Sequence, residues 1–232
     1  MNPSRPVLLA LWDRLRSQLP LKIFLLITLP TAATAGYMAI ERLIVFPVRS
    51  VPLSWFDRAI PFQPSWVWAY MSLYLLNPIG PLLTRSRADL LRYARGIGFL
   101  FVSGIACFAL LPVAGPRPVN AHGPPLYERL IAVDRVYNSF PSLHAACAVY
   151  AVLFAGYASR DSSRPALRNV LLALAWAWVG LILYSTIATR QHFVIDLLPG
   201  ILLAWLTMRL FVVRSRAGAR SEQRVLIRGE AA

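Results

Sequence analysis

The stretch NVLLALAWAWVGLILYSTI, residues 169–187, runs without a charged side chain. A helix needs about 20 mainly apolar residues to cross a hydrocarbon core of about 30 Å, so this run has the length of a transmembrane helix. The whole chain agrees with it. Of 232 residues, 57% are apolar and only 15% charged, with a mean hydropathy of +0.55, whereas a soluble domain carries about a quarter charged residues. Working outward, five further apolar runs at about 21–40, 65–83, 96–112, 143–158 and 193–213 bring the expected number of spans to six. The predicted fold is all-α, an integral membrane bundle of six transmembrane helices occupying residues 21–213. Cys107 and Cys147 lie inside apolar runs, where a thiol acts as a small buried hydrophobe, so a disulfide-stapled secreted scaffold is excluded.

The charge distribution orients this bundle. The chain carries 24 basic and 10 acidic residues, a net charge of +14. With the N-terminus inside, seventeen of the basic residues fall in cytoplasmic segments, as the excess of Lys and Arg in cytoplasmic loops requires. They occur around Arg14, around Arg87, around Arg164 and in the tail after Arg209. Both termini are therefore expected to be cytoplasmic. Because these arginines are spread over four separate segments without a recognition module, no nucleic-acid partner is expected. In residues 1–20, Val7, Leu8, Leu11, Trp12, Leu15 and Leu19 alternate with Arg5, Asp13, Arg14 and Arg16, which predicts an N-terminal interfacial amphipathic helix. The run Leu21–Leu29 followed by Ala33-Thr34-Ala35 also has the form of a signal peptide, but its apolar character continues to Ile40. The Arg-rich tail, residues 214–232, is expected to be cytoplasmic and poorly ordered.

Three polar clusters interrupt this pattern, all at the predicted outer face. One is Gly115-Pro116-Arg117-Pro118. A second is Asn138-Ser139-Phe140-Pro141-Ser142-Leu143-His144, and the third is Thr189-Arg190-Gln191-His192 followed by Asp196. On a helix, His192 and Asp196 at i, i+4 would share one face. An Asp inside a span is costly unless partnered, so the pair reads either as an imidazole oriented for nucleophilic or base chemistry or as a structural hydrogen bond at a helix end. Ser142 and the first-turn N–H groups of the helix that follows could hold an anion, with His144 placed to donate a proton, or Ser142 could merely cap that helix. Arg117, stiffened by flanking prolines, suits forked donation to phosphate, and Arg190 lies two residues from His192. Two histidines and an Asp could ligate a metal, but their spacing matches no zinc motif. No metal and no cofactor is expected.

Taken together the three clusters resemble the type 2 phosphatidic acid phosphatase superfamily, whose pattern is K-x6-R-P, then P-S-G-H, then S-R-x5-H-x3-D. The matching stretches here are Arg117-Pro118, Pro141-Ser142-Leu143-His144, and Ser185-Thr186 through His192 to Asp196. Leu110, Leu143 and Thr186 stand where the pattern has lysine, glycine and arginine. The resemblance implies His192 as nucleophile, Asp196 as its orienter and His144 as general acid. It implies Arg117 and Ser142 as ligands of phosphate oxygens, with Arg190 supplying the charge absent at Thr186.

The activity so implied is that of an integral-membrane phosphatase. It hydrolyses a lipid phosphate monoester or pyrophosphate through a phosphohistidine, with the bilayer and the lipid as its partners. P-S-L-H with T-R-Q-H-F-x-x-D is also similar to the inositol phosphorylceramide synthase branch, which passes the phosphoryl-headgroup to an alcohol. A transporter using the same ionisable groups is disfavoured, since such groups usually sit near the midplane between internal repeats, and no repeat is visible here. In a bacterium the expected location is the inner membrane with a periplasmic active site.

Overall fold

The computed structural model describes residues 7–43, 45–118, 121–134 and 137–214. The Arg-rich tail beyond Arg214 and the first six residues lie outside the described residues. The chain is mainly helical. Helix α1 covers Val7–Arg16 and α2 covers Leu19–Arg42. Short helices α3 (Trp55–Ala59), α4 (Val67–Met71), α5 (Leu73–Leu76) and α6 (Ile79–Leu83) follow. Then come α7 (Arg87–Leu110), α8 (Pro125–Val133), α9 (Leu143–Ala158), α10 (Pro165–Ala188) and α11 (Val194–Thr207), the last running on as a π-helical turn over Met208–Arg214.

Among the described residues four helices are long and apolar enough to cross a membrane: Leu19–Ile40, Arg87–Leu110, Pro165–Ala188 and Val194–Val213. The expectation of six continuous spans is corrected in one place. Residues 65–83 are not one helix but a 3-10 turn, Pro64–Trp66, followed by α4, α5 and α6. The breaks have local causes: the Ser72 hydroxyl bonds the Ala69 carbonyl at 2.6 Å, and Pro78 and Pro81 lack the N–H that a continuous helix needs. Helix α9 coincides with the expected run at 143–158 and, at 16 residues, is short, roughly 24 Å at 1.5 Å per residue.

Helix α9 can be short because it is the centre of the bundle. It touches α5, α6, α7, α10 and α11, and Ala145 through Val152 are all buried, which is why it reads as apolar on every side. Its alanines let neighbours approach closely. One close approach to backbone is at Gly200 of α11, where a Cβ would lie 2.4 Å from the Ser142 carbonyl oxygen. At one end of the bundle, cations meet helix C-termini, where orphan carbonyls and the helix dipole favour positive charge. Arg14 donates to the Leu83 and Ala158 carbonyls, and Lys22 to that of Leu82.

The opposite end holds a small element that the all-α expectation lacked. Strands β1 (Arg49–Ser50) and β2 (Val113–Ala114) pair in parallel, with Arg49 opposite Val113 and Ser50 opposite Ala114. Val113 also forms a parallel bridge with Asn138, so its carbonyl accepts from the Ser139 N–H at 3.2 Å. Three loops distant in sequence are tied together here, and two of them carry the polar clusters.

Candidate active site

Helix α10 ends in a turn that reverses the chain within five residues. The Thr186 carbonyl accepts from both the Gln191 and the His192 N–H, at 3.0 and 3.1 Å, and Arg190 takes φ 56°, the left-handed conformation in which many helices terminate. Helix α11 then starts at Val194. His192 therefore precedes the helix instead of sharing a face of it with Asp196. The Asp196 carboxylate accepts the Phe193 N–H at 3.1 Å, which satisfies one of the donors a helix N-terminus leaves unpaired.

This geometry reassigns the partner of the imidazole. His192 Nδ1 lies 3.1 Å from the Ser139 carbonyl oxygen and 3.9 Å from Asp196 Oδ2. A carbonyl only accepts, so Nδ1 carries the hydrogen and Nε2 the lone pair. Asp196 remains close enough to act as a charge, but the backbone of the second cluster orients the ring. Burial, with the nearby His144 adding to it, pushes the His192 pKa down from 6.5 to about 3, against the opposing pull of the Ser139 carbonyl. The ring is neutral over the ordinary working range of pH.

His144 opens α9, and its ring lies 6.2 Å from that of His192, centroid to centroid. It stacks on Tyr70 at 3.8 Å and donates Nε2–H to the Tyr70 carbonyl at 3.3 Å. Its free nitrogen is therefore Nδ1. Arg117 reaches the same space. Its guanidinium donates to the Asp134 carbonyl, to Asp134 Oδ2 and to Gln191 Oε1, each at 2.7 Å. Arg117, Asp134, Ser139, His144, Gln191 and His192 line one end of a cavity of about 510 Å³. Its remainder is walled by apolar residues of α2 and α7 such as Leu29, Ala33, Ile97 and Phe101.

Two residues expected to bind phosphate do not line this cavity. Arg190 is turned the other way: its guanidinium donates to the Asp57 and Ile60 carbonyls at 2.7 and 2.8 Å. Its left-handed backbone and the Thr186 carbonyl direct it toward α3. Ser142 is fully buried and caps α9, accepting the Ala145 N–H at 3.1 Å. Its own N–H donates to the Asp196 carbonyl at 3.0 Å, binding the starts of α9 and α11 together.

Sequence reasoning named Ser139 and Gln191 within their clusters without a role for either, and it missed Asp134 and Asp57. Asp57 is fully buried and accepts the Val194 N–H at 3.0 Å, securing α11 from the far side of the histidine turn. Neither Asp134 nor Asp57 belongs to a spaced motif. The buried tyrosine-rich surroundings of His144 were visible only as ordinary span residues.

A sequence model of the PAP2 superfamily matches residues 36–210, which takes in every residue of this site. No curated protein and no solved structure matches the chain.

Proposed function

The chain belongs to the PAP2 superfamily, and from that membership we propose that it is an integral-membrane enzyme hydrolysing a lipid phosphate monoester or pyrophosphate through a phosphohistidine on His192. The observation that carries this reading is the His192–Ser139 contact: with Nδ1–H held by a carbonyl, the Nε2 lone pair is the nucleophile of a buried, neutral ring. Nε2 attacks phosphorus, the bond from phosphorus to the leaving oxygen breaks, and His144, entering this step as the imidazolium with Nε2–H held by the Tyr70 carbonyl, gives its Nδ1 proton to that oxygen and becomes neutral. Water then attacks phosphorus, its proton passing to Nδ1 of the neutral His144, and the bond from phosphorus to Nε2 breaks, releasing phosphate and the neutral His192. Arg117 neutralises the phosphoryl oxygens during both steps, and Asp196, 3.9 Å away, favours the positive charge that His192 acquires. No step is routed through a metal.

The cavity supports a lipid substrate. A phosphate at the Arg117 end leaves the apolar part of the molecule against α2 and α7, two helices of spanning length, so the chain enters from the bilayer. In this reading α4–α6 and α9 complete six membrane passages. Helix α1, with Leu8, Leu9, Leu11 and Trp12 exposed, lies on the inner leaflet, and the site faces the periplasm of a bacterial inner membrane.

The test is purified protein with a panel of lipid phosphates, with and without alcohol acceptors, in EDTA, following free phosphate and new lipid by mass spectrometry. Phosphate release that His192→Ala abolishes, with a radiolabelled histidine trapped in wild type, is expected. Transfer to the alcohol without free phosphate would assign the synthase-like activity instead. Turnover by His192→Ala would overturn the mechanism.

A further inference from the structure

The phosphate seat just described is already occupied. Three of the five N–H donors of Arg117 are taken, two by the carbonyl and carboxylate of Asp134 and one by Gln191 Oε1. The Arg117–Asp134 ion pair is only partly exposed, 15% and 18%, so it is not a solvated surface pair that an arriving anion would displace at little cost. The other carboxylate oxygen of Asp134 accepts a hydrogen bond from the Tyr37 hydroxyl. Tyr37 belongs to α2, which forms part of the apolar wall of the cavity. Helix α2 is also the spanning helix least held by the rest of the protein: 6% of its apolar window is buried, against 28–33% in the other three.

We propose that Asp134 and Tyr37 determine specificity. Asp134 stands in for phosphate on Arg117 before substrate binds, Tyr37 latches it there, and a chain packing against α2 releases it. The inference rests on the proposed role of Arg117 as the phosphate ligand. A soluble anion such as inorganic phosphate or vanadate must displace a like-charged carboxylate from Arg117 unaided. A lipid phosphate brings an apolar chain that packs on Leu29 and Ala33, one or two turns along the same helix face from Tyr37, and shifts the residue anchoring Asp134. The free energy for opening the ion pair is thus drawn from chain binding, and only chain-bearing phosphates have it to give. A bare cationic pocket would lack this discrimination, because it would bind any phosphate by charge.

The experiment measures inhibition by orthovanadate, and turnover of a long-chain lipid phosphate against p-nitrophenyl phosphate, in purified wild type, Tyr37→Phe, Asp134→Asn and Arg117→Ala. Tyr37→Phe removes the latch without altering charge, so a tightening of vanadate inhibition there, about fivefold or more, cannot be ascribed to a lost negative charge. The same variant is expected to raise kcat/KM for the soluble substrate relative to the lipid. Asp134→Asn should tighten vanadate further. Vanadate affinity lost in Arg117→Ala but unchanged or weakened in Tyr37→Phe would overturn the latch while leaving the phosphate seat standing. Vanadate affinity insensitive to Arg117→Ala would overturn both. Should Asp134→Asn fail to fold, Tyr37→Phe decides the matter alone.

Discussion

His192 Nδ1 sits 3.1 Å from the carbonyl oxygen of Ser139, 53 residues earlier in the chain. The group that fixes the imidazole tautomer is thus main chain, itself held by Val113 of β2 through the Ser139 N–H. A carbonyl keeps this role whatever side chain is substituted at position 139. The orientation of the ring is therefore expected to survive changes at Asp196 that preserve the cap of α11.

Asp196→Asn separates the two contributions of that residue. The amide oxygen can still accept the Phe193 N–H, while the charge 3.9 Å from the imidazole is lost. An interaction of a few kcal/mol at this distance, at an effective dielectric of about 20, sets the scale. Steady-state kinetics should show kcat reduced by about 10- to 100-fold with KM nearly unchanged. A loss as complete as that of His192→Ala would assign orientation of the ring to the carboxylate after all.

The depressed pKa of His192 has consequences for both rate and stability. Because the ring is neutral down to about 3 instead of 6.5, its protonation does not set an acid limb of kcat near pH 6.5. For stability, the unfolded chain binds a proton below about 6.5 that the folded ring refuses until about 3. The contribution is complete above 6.5 and is lost as the pH falls toward 3. Thermal unfolding in detergent at pH 7 and pH 4.5 should show a smaller acid destabilisation in His192→Gln than in wild type. Equal shifts would contradict a neutral buried ring.

Arg190 and Arg117 should part company. Arg190 clamps the histidine turn to the carbonyls of Asp57 and Ile60, so Arg190→Ala is expected to lower Tm and kcat while leaving vanadate affinity within about twofold. Arg117→Ala should weaken vanadate at least tenfold, since it removes a forked cation from the site itself. Isothermal titration of the two variants with vanadate checks this, and the reverse ranking would return Arg190 to the phosphate.

Orientation can be read on intact cells. His122 is highly exposed at the end that carries the site, and Ser163 is exposed between α9 and α10 at the other end. In a background lacking Cys107 and Cys147, His122→Cys should react with an impermeant maleimide and Ser163→Cys should not. The opposite pattern would place the chemistry on the cytoplasmic side.

The apolar runs and the order of the three polar clusters were legible in the sequence. Each rests on composition or spacing within some twenty residues, the range over which helix formation and lipid solvation act. That is why Leu19–Ile40, Pro165–Ala188 and Val194–Val213 fall where their hydropathy puts them. The break of residues 65–83 was partly written in Pro78 and Pro81, but the hydropathy of the run concealed it.

Only the tertiary structure decided which partner each polar group takes. Ser139 holds His192 across 53 residues, Asp134 and Gln191 hold Arg117 across 17 and 74, and the carbonyls of Asp57 and Ile60 draw Arg190 away across 133 and 130. Several of these partners are backbone carbonyls, which every residue possesses and no motif can mark. In a buried site each donor must find an acceptor, and which acceptor lies within reach is set by the packing of α9 against α11 and the pairing of β1 with β2, not by the residues adjoining it in the chain.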